Sequence, residues 1–486
     1  MKTMKTLRLF LWLALAMWLL PASAQPQLIF ATNNNSLTLI GYYGSETNLV
    51  IPSETNSYPV IGIADYVFQN HGEIINVVIP ASVTNIGFGP FLGCAGVTNF
   101  QVDPTNPAFT DVGGILFDAN QTTLVAFPEA RSGTYAIPNT VTNINGAAFQ
   151  SCVHLTSISL DPTIVTIGLN AFAGCNNLNG LVLPDGVKNI GDSAFGNCSG
   201  IPNIVIPDSV TNVGAGAFGN CSALTNAVIG RAVLTLGAGA FQNTPLRNIV
   251  IPDAVTAVSS GTFDNCTSLT NITIGQGVTS IGFNAFHGCS NLTSITLPSG
   301  VGYIGQNAFT WTKLARIAIP DATTNIDAWA FQNLPTLTNV VVGSGVATIG
   351  EGAFNNVSVI TNVAGFFFKG NAPTAAMGPN IFAGYNQGTV YYLPGTTGWG
   401  TNFGGLPAVL WNPRANTTDS HFGVLTNRFG FDITGTTNIP IVVEASGNLT
   451  IGWTPLFSGN LTNGSVYFSD PQWINYSNRF YRIRSP

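Results

Sequence analysis

A phenylalanine recurs along this chain every 22 or 23 residues, and that spacing constrains the fold more than any other feature. The series runs unbroken through Phe149, Phe172, Phe195, Phe218, Phe241, Phe263, Phe286, Phe309, Phe331 and Phe354. Phe68 and Phe91 extend it toward the N-terminus at the same spacing. A sustained period of this size is typical of stacked supersecondary units. We therefore predict a solenoid and interpret every other motif by its place in the repeat.

Each repeat contains segments with the pattern of short β-strands. Stretches such as "LTNITIG" alternate apolar and small polar residues, as half-buried strands do. A proline or glycine ends the stretch, and an aspartate often follows, as at Asp185, Asp208, Asp253 and Asp321. This pairing favours a turn. Since no loop with calcium-binding spacing accompanies these aspartates, we interpret them as turn-forming surface residues.

The seven cysteines occupy one position of the repeat, three residues after a phenylalanine: Cys94, Cys152, Cys175, Cys198, Cys221, Cys266 and Cys289. Other repeats have His, Thr, Leu or Val there, so we predict a small buried position filled by free thiols. Equivalent residues of stacked strands lie about 4.8 Å apart, too far for the Cβ spacing of about 3.8 Å in a disulfide. His287, beside Cys289, has no counterpart in other repeats, so we predict no metal site and an incidental surface histidine.

The N-terminus has the features of a secretory signal peptide over residues 1–24. Lys2, Lys5 and Arg8 precede the apolar run "LFLWLALAMWLL", and Ala22-Ser23-Ala24 predicts cleavage before Gln25. No later apolar run is long enough to span a bilayer. We expect a secreted or cell-surface protein, either soluble or attached by other means.

Charge and motifs exclude several classes of function. Three of the 15 basic residues lie in the signal segment, so twelve remain against 21 acidic residues. A sparse and mildly acidic charge argues against nucleic-acid binding, which depends on release of counterions by basic side chains. The four histidines are scattered, and no nucleophile elbow, Walker loop or paired-carboxylate motif is present. We therefore predict no catalytic residues, no cofactor, and a protein that is not an enzyme.

The pattern "IPDSVTNVGAGAFGNCSALTNAVI" resembles the BspA-type leucine-rich repeat, a 23-residue class common in bacterial surface proteins. Residues 106–144 resemble an irregular unit of that family and account for the 58 residues between Phe91 and Phe149. The resemblance implies a curved, β-rich leucine-rich-repeat solenoid, export from a bacterium, and binding or adhesion to proteins or cell surfaces. The family carries no catalytic residues.

These patterns predict five segments. After the signal segment, residues 25–47 form a β-hairpin cap, which covers the exposed end of the array. The repeats occupy 48–365, with the irregular unit at about 100–148, and a degenerate repeat with a C-terminal cap follows at 366–411. Residues 412–486 lose the period and have the pattern of short strands joined by turns. We expect them to form a small all-β, sandwich-like domain.

The sheet on the concave face of a solenoid is its usual ligand surface. The outward strand positions combine a column of valines with a column of asparagines and almost no charge. The predicted binding face comprises Val182, Asn203, Val205, Asn226, Val228, Asn248, Val250, Asn271, Thr273, Thr296, Arg316 and Val341. Exposed apolar columns of this extent often mark protein contacts. Alternatively, the valines reflect only the high β-propensity of this residue, and the sheet binds no ligand.

Three functions stay open at this point. The first is a binding or adhesion protein that recognises a protein or surface ligand through the sheet. The second is a glycan-binding envelope protein that uses C-terminal aromatics, namely Tyr391, Tyr392, Trp399, Trp411, Trp453, Trp473 and Tyr476. The third is a purely structural surface-layer component. In addition, Arg479, Arg482 and Arg484 end the chain and either protect an edge strand or hold the protein at the envelope.

Overall fold

Each repeat folds into one turn of a β-solenoid, in which strands of successive turns pair in parallel at equivalent positions. The computed structural model describes residues 27–356, 365–376 and 380–485, and the chain divides into two compact units, Met1–Leu224 and Thr225–Pro486. The predicted signal segment lies outside the described residues. Within those residues, no helix is both long enough and apolar enough to cross a membrane.

The strands of the first unit, as far as it is described, are β1 (Gln27–Asn33), β2 (Ser36–Tyr43), β3 (Asn48–Val50), β4 (Glu54–Thr55), β5 (Tyr58–Ile63), β6 (Asn76–Ile79), β7 (Asn85–Ile86), β8 (Asn99–Val102), β9 (Phe109–Val112), β10 (Ile115–Asp118), β11 (Thr123–Ala126), β12 (Gly133–Ala136), β13 (Asn143–Ile144), β14 (Leu155–Ser159), β15 (Thr166–Ile167), β16 (Asn189–Ile190), β17 (Asn203–Val205) and β18 (Asn212–Val213). An antiparallel hairpin of β1 and β2 begins the described part of the unit, and β2 pairs in parallel with β5.

The strands of the second unit, in its described residues, are β19 (Asn226–Val228), β20 (Thr235–Leu236), β21 (Asn248–Ile251), β22 (Ala257–Val258), β23 (Asn271–Ile274), β24 (Ser280–Ile281), β25 (Tyr303–Ile304), β26 (Arg316–Ala318), β27 (Asn325–Ile326), β28 (Asn339–Val342), β29 (Thr348–Ile349), β30 (Gly365–Phe368), β31 (Ala375–Ala376), β32 (Thr389–Tyr392), β33 (Asn402–Phe403), β34 (Leu406–Leu410), β35 (Arg414–Asn416), β36 (Gly423–Leu425), β37 (Arg428–Thr434), β38 (Pro440–Ser446), β39 (Thr454–Asn460), β40 (Ser465–Asp470) and β41 (Phe480–Arg484). A single 3₁₀ turn, Trp473–Asn475, interrupts this all-β arrangement among the described residues.

The solenoid turns of the second unit form two kinds of ladder. Two-residue strands stack in the order β22-β24-β25-β27-β29-β31, and longer strands stack in the order β26-β28-β30-β32-β34. The parallel register places equivalent residues side by side, as in the pairing of Asn248 with Asn271 and of Val250 with Thr273. Because side chains alternate along a strand, Ile249 and Ile251 are buried while Asn248 and Val250 are exposed.

The recurring phenylalanines stack inside the solenoid, as their spacing predicts. In the second unit the rings from Phe241 to Phe354 follow one another at centroid distances of 5.1–5.8 Å, with ring planes within 13° of parallel. In the first unit Phe149, Phe172, Phe195 and Phe218 stack at 4.7–5.3 Å. These side chains are fully buried. Each turn therefore buries its phenylalanine between the rings of its two neighbours.

The irregular unit breaks the parallel pattern but not the aromatic stack. Strands β9, β10 and β11 pair antiparallel, and β11 then pairs in parallel with β13. Phe127 follows β11 and stacks on Phe149 at 4.8 Å. Phe127 lies 22 residues before Phe149 and so continues the phenylalanine period into the irregular unit, which we did not predict.

The chain ends in a small sandwich, which we call the C-terminal module (residues 412–485). One sheet contains β35, β36, β37 and β40, the other has the order β39-β38-β41, and neighbours within each sheet are antiparallel. The two sheets share a buried cluster that includes Phe431, Ile433, Ile441, Val443 and Phe468. The fold is thus a β-rich leucine-rich-repeat solenoid followed by a small all-β module.

Glu129 places a carboxyl group inside the first unit. Its side chain is 7% exposed, and one carboxylate oxygen accepts a hydrogen bond from the Gly93 amide at 2.6 Å. Burial raises the pKa of Glu129 to about 7, although the hydrogen bond from Gly93 acts in the opposite direction and lowers it. Ionising this group in the folded protein is therefore unfavourable, since a charged form loses solvation by water.

Because the pKa of Glu129 is higher in the folded than in the unfolded chain, the protonated carboxyl stabilises the fold. That stabilisation is complete below about pH 4.5 and is lost as the pH rises through about 7. Replacing Glu129→Gln should remove on the order of 3 kcal/mol of pH-dependent change in the free energy of unfolding. Urea unfolding of both proteins at about pH 4.5 and pH 8 measures the difference between them. An identical pH dependence in the two proteins would contradict the assigned pKa.

Candidate binding surface

The predicted outward columns lie on the surface of both units. We call these columns the Val–Asn face of each unit, namely Val182, Asn203 and Val205 in the first unit, and Asn226, Val228, Asn248, Val250, Asn271 and Thr273 in the second. All of these side chains are exposed, and Val182 is 77% and Val250 60% exposed. The strand pattern places them there, because the Ile or Ala between them points into the core.

Two members of the asparagine column are joined by a side-chain hydrogen bond. The Asn271 amide nitrogen donates to the Asn248 amide oxygen at 2.8 Å, across the parallel pair β21 and β23. The Asn271 amide nitrogen also lies 3.4 Å from the Thr270 hydroxyl oxygen. An amide side chain has two donors and an oxygen with two lone pairs, so both asparagines keep hydrogen-bonding capacity. This pair can therefore hold its geometry and still present polar groups to a ligand.

The remaining predicted residues continue the surface with different chemistry. Thr296 is exposed, but its solenoid repeat has no assigned strand at this position. Arg316 is exposed at the start of β26. Val341, by contrast, is half-buried and packs against the cluster of the C-terminal module. The expectation that Val341 faces solvent was wrong, because sequence periodicity cannot show which turn the C-terminal module covers.

Beyond Val341 the same outward column becomes aromatic. The register of β28, β30 and β32 places Val341, Phe367 and Tyr391 in one row, and the rings of Phe367 and Tyr391 stack at 4.8 Å. Both rings are buried in the cluster shared with the C-terminal module. The outward face of this sheet therefore already carries one folded β domain at its C-terminal end.

The C-terminal aromatics are divided between packing and surface. Tyr391 is buried, and the Trp411 indole donates to the Pro440 carbonyl oxygen at 2.8 Å, which joins the solenoid to the module. Tyr392 and Trp399 stack on each other at 5.2 Å. Trp453 lies under the Arg482 guanidinium at 4.4 Å from the ring centroid. These residues do not form one shared platform for a sugar.

Comparison with known proteins supports the repeat assignment. The BspA type leucine-rich repeat region matches residues 61–133, 125–245 and 235–361, in six copies.

The chain belongs to the BspA-type leucine-rich repeat family.

Solved structures similar to the chain include a leucine rich cell surface protein from Faecalibacterium prausnitzii, at 26% identity and a TM-score of 0.41 over 66% of this chain and 95% of that one. A leucine-rich repeat protein from Bacteroides ovatus matches at 19% identity and a TM-score of 0.48, over 76% and 99% of the two chains. The pneumococcal vaccine antigen PcpA matches at 17% identity and a TM-score of 0.34, over 52% and 56%. No curated protein gives a significant match.

The cysteines of the BspA-type repeats are all free and buried. Several thiols donate to the carbonyl oxygen of the phenylalanine in the preceding turn: Cys198 to Phe172 at 3.0 Å, and Cys289 to Phe263 at 3.2 Å. The small buried position filled by free thiols is as predicted, but the hydrogen bond was not foreseen from the sequence. Burial raises the pKa of the Cys266 thiol to about 11, so the thiolate needed for reaction or metal binding is scarce near neutral pH.

His287 is not the incidental surface residue that we expected. Its Nδ1 lies 2.8 Å from an Asp264 carboxylate oxygen in the preceding turn, and both side chains are about one-quarter exposed. The two residues are 23 apart, so the repeat period itself contained the signal. The pair joins two turns and does not involve Cys289.

The turn aspartates also act between repeats. A carboxylate oxygen of Asp253 accepts the backbone amide of Gln276 at 2.7 Å, and one of Asp321 accepts that of Ser344 at 2.9 Å. The backbone amide from Ser344 lowers the pKa of Asp321, and Lys369 adds to this effect. These aspartates thus fix the turn of the next repeat.

A group of side chains able to ligate a metal lies in the C-terminal module. Ligand atoms of Asp419, His421 and Asp432 lie within 4.8 Å of one another. His421 Nδ1 is 2.7 Å from an Asp432 oxygen, and that hydrogen bond raises the pKa of His421. The three residues meet because β36 and β37 form a hairpin, which their spacing in the sequence did not reveal. Internal hydrogen bonding already accounts for this arrangement.

The state of the thiols is open to direct measurement. Native protein at about pH 8 should resist alkylation by iodoacetamide, because burial shields the thiols and disfavours the thiolate. In guanidinium without reductant, all seven cysteines should react, as mass spectrometry of the intact chain will show. Incomplete alkylation that reductant restores would reveal disulfides and contradict the structure.

Proposed function

We propose that this protein is an exported bacterial surface protein that binds a protein ligand through the Val–Asn face of its solenoid. One observation carries the proposal. The C-terminal end of that same outward face, at Val341, Phe367 and Tyr391, is covered by a folded β domain of the chain itself. A second folded domain of suitable shape would meet the same kind of sheet farther along the array.

The chemistry of the Val–Asn face supports a protein contact. Val182, Val205, Val228 and Val250 are each at least half exposed. Covering one such side chain contributes roughly 1 kcal/mol through removal of apolar area from water. The asparagine column lies beside the valines and can supply the polar bonds that interfaces need. A sheet held by backbone ladders and a buried aromatic stack loses little conformational freedom on binding.

The same surface gives no support to catalysis. Its residues are valine, asparagine and threonine, none of which offers a general acid or base of tuned pKa. Thiols with strongly raised pKa lie in the interior, where a substrate does not reach them. We infer a binding protein that is not an enzyme and uses no cofactor.

The two other candidate functions have weaker support. A glycan site would need aromatic faces open to solvent. Tyr391 and Trp411 instead join the module to the solenoid, and Arg482 and Arg479 lie over the rings of Trp453 and Tyr476. A purely structural surface-layer role would leave the exposed valines without a function. The proposal also places the protein at the cell surface. This part rests on the predicted signal segment and on the resemblance of the chain to the BspA-type family.

The proposal is tested by placing charge in the face. The double variant Val228→Glu/Val250→Glu should weaken partner binding about 100-fold or more, because two carboxylates would be buried without counter-charges. Both side chains are exposed, so the free energy of unfolding should change by less than about 1 kcal/mol. Leu234→Glu, also at an exposed position outside the face, is the matched control.

The measurement is capture of surface proteins from target cells by the purified mature chain, with quantification by mass spectrometry and titration of each captured protein. Wild type and Leu234→Glu should retain the same partner, and the double variant should lose it. A partner that binds all three proteins equally would move the site away from the Val–Asn face.

A further inference from the structure

The C-terminal module has two loops at the end of the sandwich that is farthest from the solenoid. Strand β38 begins at Pro440, whose carbonyl oxygen accepts the Trp411 indole of the solenoid, and it ends at Ser446. Ser446 pairs with Phe480, the first residue of β41. The loops 447–453 and 471–479 therefore lie at the opposite end of these strands. We call them together the distal tip.

The two loops of the distal tip are neighbours. The carbonyl oxygen of Asn478 comes within 3.7 Å of the position that a Cβ on Gly447 would occupy. The Trp473 indole donates to the Asn427 carbonyl oxygen at 3.3 Å, which adds the turn between β36 and β37 to the same end. The tip is thus one surface made of three chain segments.

This surface exposes large aliphatic side chains to an unusual degree. Leu449, Ile451 and Ile474 are 65%, 68% and 67% exposed. Val424 and Leu425, at the end of β36, are also exposed. Single exposed aliphatic residues are ordinary on protein surfaces, but a contiguous group in adjacent loops marks a contact site.

Charge at the tip differs from charge in the rest of the chain. Acidic residues outnumber basic ones overall, yet "GNLTIGW" (447–453) and "PQWINYSNR" (471–479) contain no acidic residue and one basic residue, Arg479. The nearby acids Glu444 and Asp470 are buried and pair with Arg482 and Arg479 at 2.7 and 3.0 Å. The tip therefore presents no exposed carboxylate that would repel an anionic surface.

The side chains of the tip also differ in polarity. Leu449, Ile451 and Ile474 are each about two-thirds exposed, and the same loops carry the amphipathic rings of Tyr476, 43% exposed, and Trp453, half-buried. The guanidinium groups of Arg482 and Arg479 stack on these two rings, at 4.4 and 3.7 Å from their centroids. Exposed aliphatic side chains together with Trp, Tyr and Arg are the residue types found at the boundary between acyl chains and lipid headgroups.

We propose that the distal tip inserts its aliphatic side chains into the surface of a lipid bilayer and so anchors the protein peripherally. The exposed guanidinium of Arg482 then lies at the depth of the lipid phosphates. Arg479 is buried against Asp470, and Arg482 shares Glu444 with Arg484, so little free positive charge remains. Insertion of Leu449, Ile451 and Ile474 therefore dominates, and anionic lipid adds a smaller contribution. This inference does not depend on the Val–Asn face.

The test is co-sedimentation of the full mature chain with large unilamellar vesicles of pure phosphatidylcholine, or with about 30 mol% phosphatidylglycerol added. Wild type should bind both, and the anionic vesicles more tightly. The variant Leu449→Ser/Ile451→Ser/Ile474→Ser should bind both at least about tenfold more weakly. Tryptophan fluorescence should be quenched by brominated phosphatidylcholine in wild type, since Trp453 lies beside the inserted residues.

A matched control removes equally exposed aliphatic side chains from the solenoid, as Val182→Ser/Val205→Ser/Val250→Ser. This control should keep lipid binding while it loses any ligand of the Val–Asn face. The lipid-binding and protein-binding proposals can therefore be refuted independently of each other. Circular dichroism and thermal unfolding show whether each variant is folded. If folded wild type binds neither vesicle, or if the tip variant binds as wild type does, the proposal is wrong. Binding only to anionic vesicles that high salt abolishes would likewise replace insertion by electrostatic adsorption.

Discussion

The stacking of one phenylalanine per turn is the interaction on which the rest of this structure depends. From Phe241 to Phe354 the rings repeat at 5.1–5.8 Å with nearly parallel planes, and none is exposed to solvent. A single turn of about 23 residues cannot bury such a ring alone, so each turn is stable only between neighbours. The stack fixes the length of the repeat. The repeat length then determines which residues of neighbouring turns lie side by side.

This constraint explains why residues at equivalent positions of successive turns form columns. Thiols three residues after the ring meet the carbonyl oxygen of the preceding turn, as Cys289 meets Phe263. Turn aspartates meet the amide of the following turn, as Asp253 meets Gln276. Side chains at the outward strand positions are not needed to hold the turns together, because Ile249 and Ile251 already fill the core side of β21. Within each unit the Val–Asn face therefore repeats the same two side chains at a spacing set by the interior.

Much of this could be predicted from the sequence, since repeats make spatial neighbours out of residues 22 or 23 apart. The phenylalanine stack, the alternation within strands and the exposed valine columns follow from that rule. The pair His287–Asp264 and the place of Phe127 obey it too, although we did not draw either consequence. What could not be predicted lies outside the period: the covering of Val341 and the meeting of Asp419, His421 and Asp432 depend on how the C-terminal module folds and docks.

The stability of Phe286→Ala compared with Phe283→Ala tests the central role of the stack most directly. Phe286 is fully buried between Phe263 and Phe309, whereas Phe283, three residues earlier, is 46% exposed. Urea unfolding should show that Phe286→Ala lowers the free energy of unfolding by about 3–5 kcal/mol, the cost of a cavity of that size. Phe283→Ala should lower it by less than about 1 kcal/mol. Equal losses in the two variants would contradict the account.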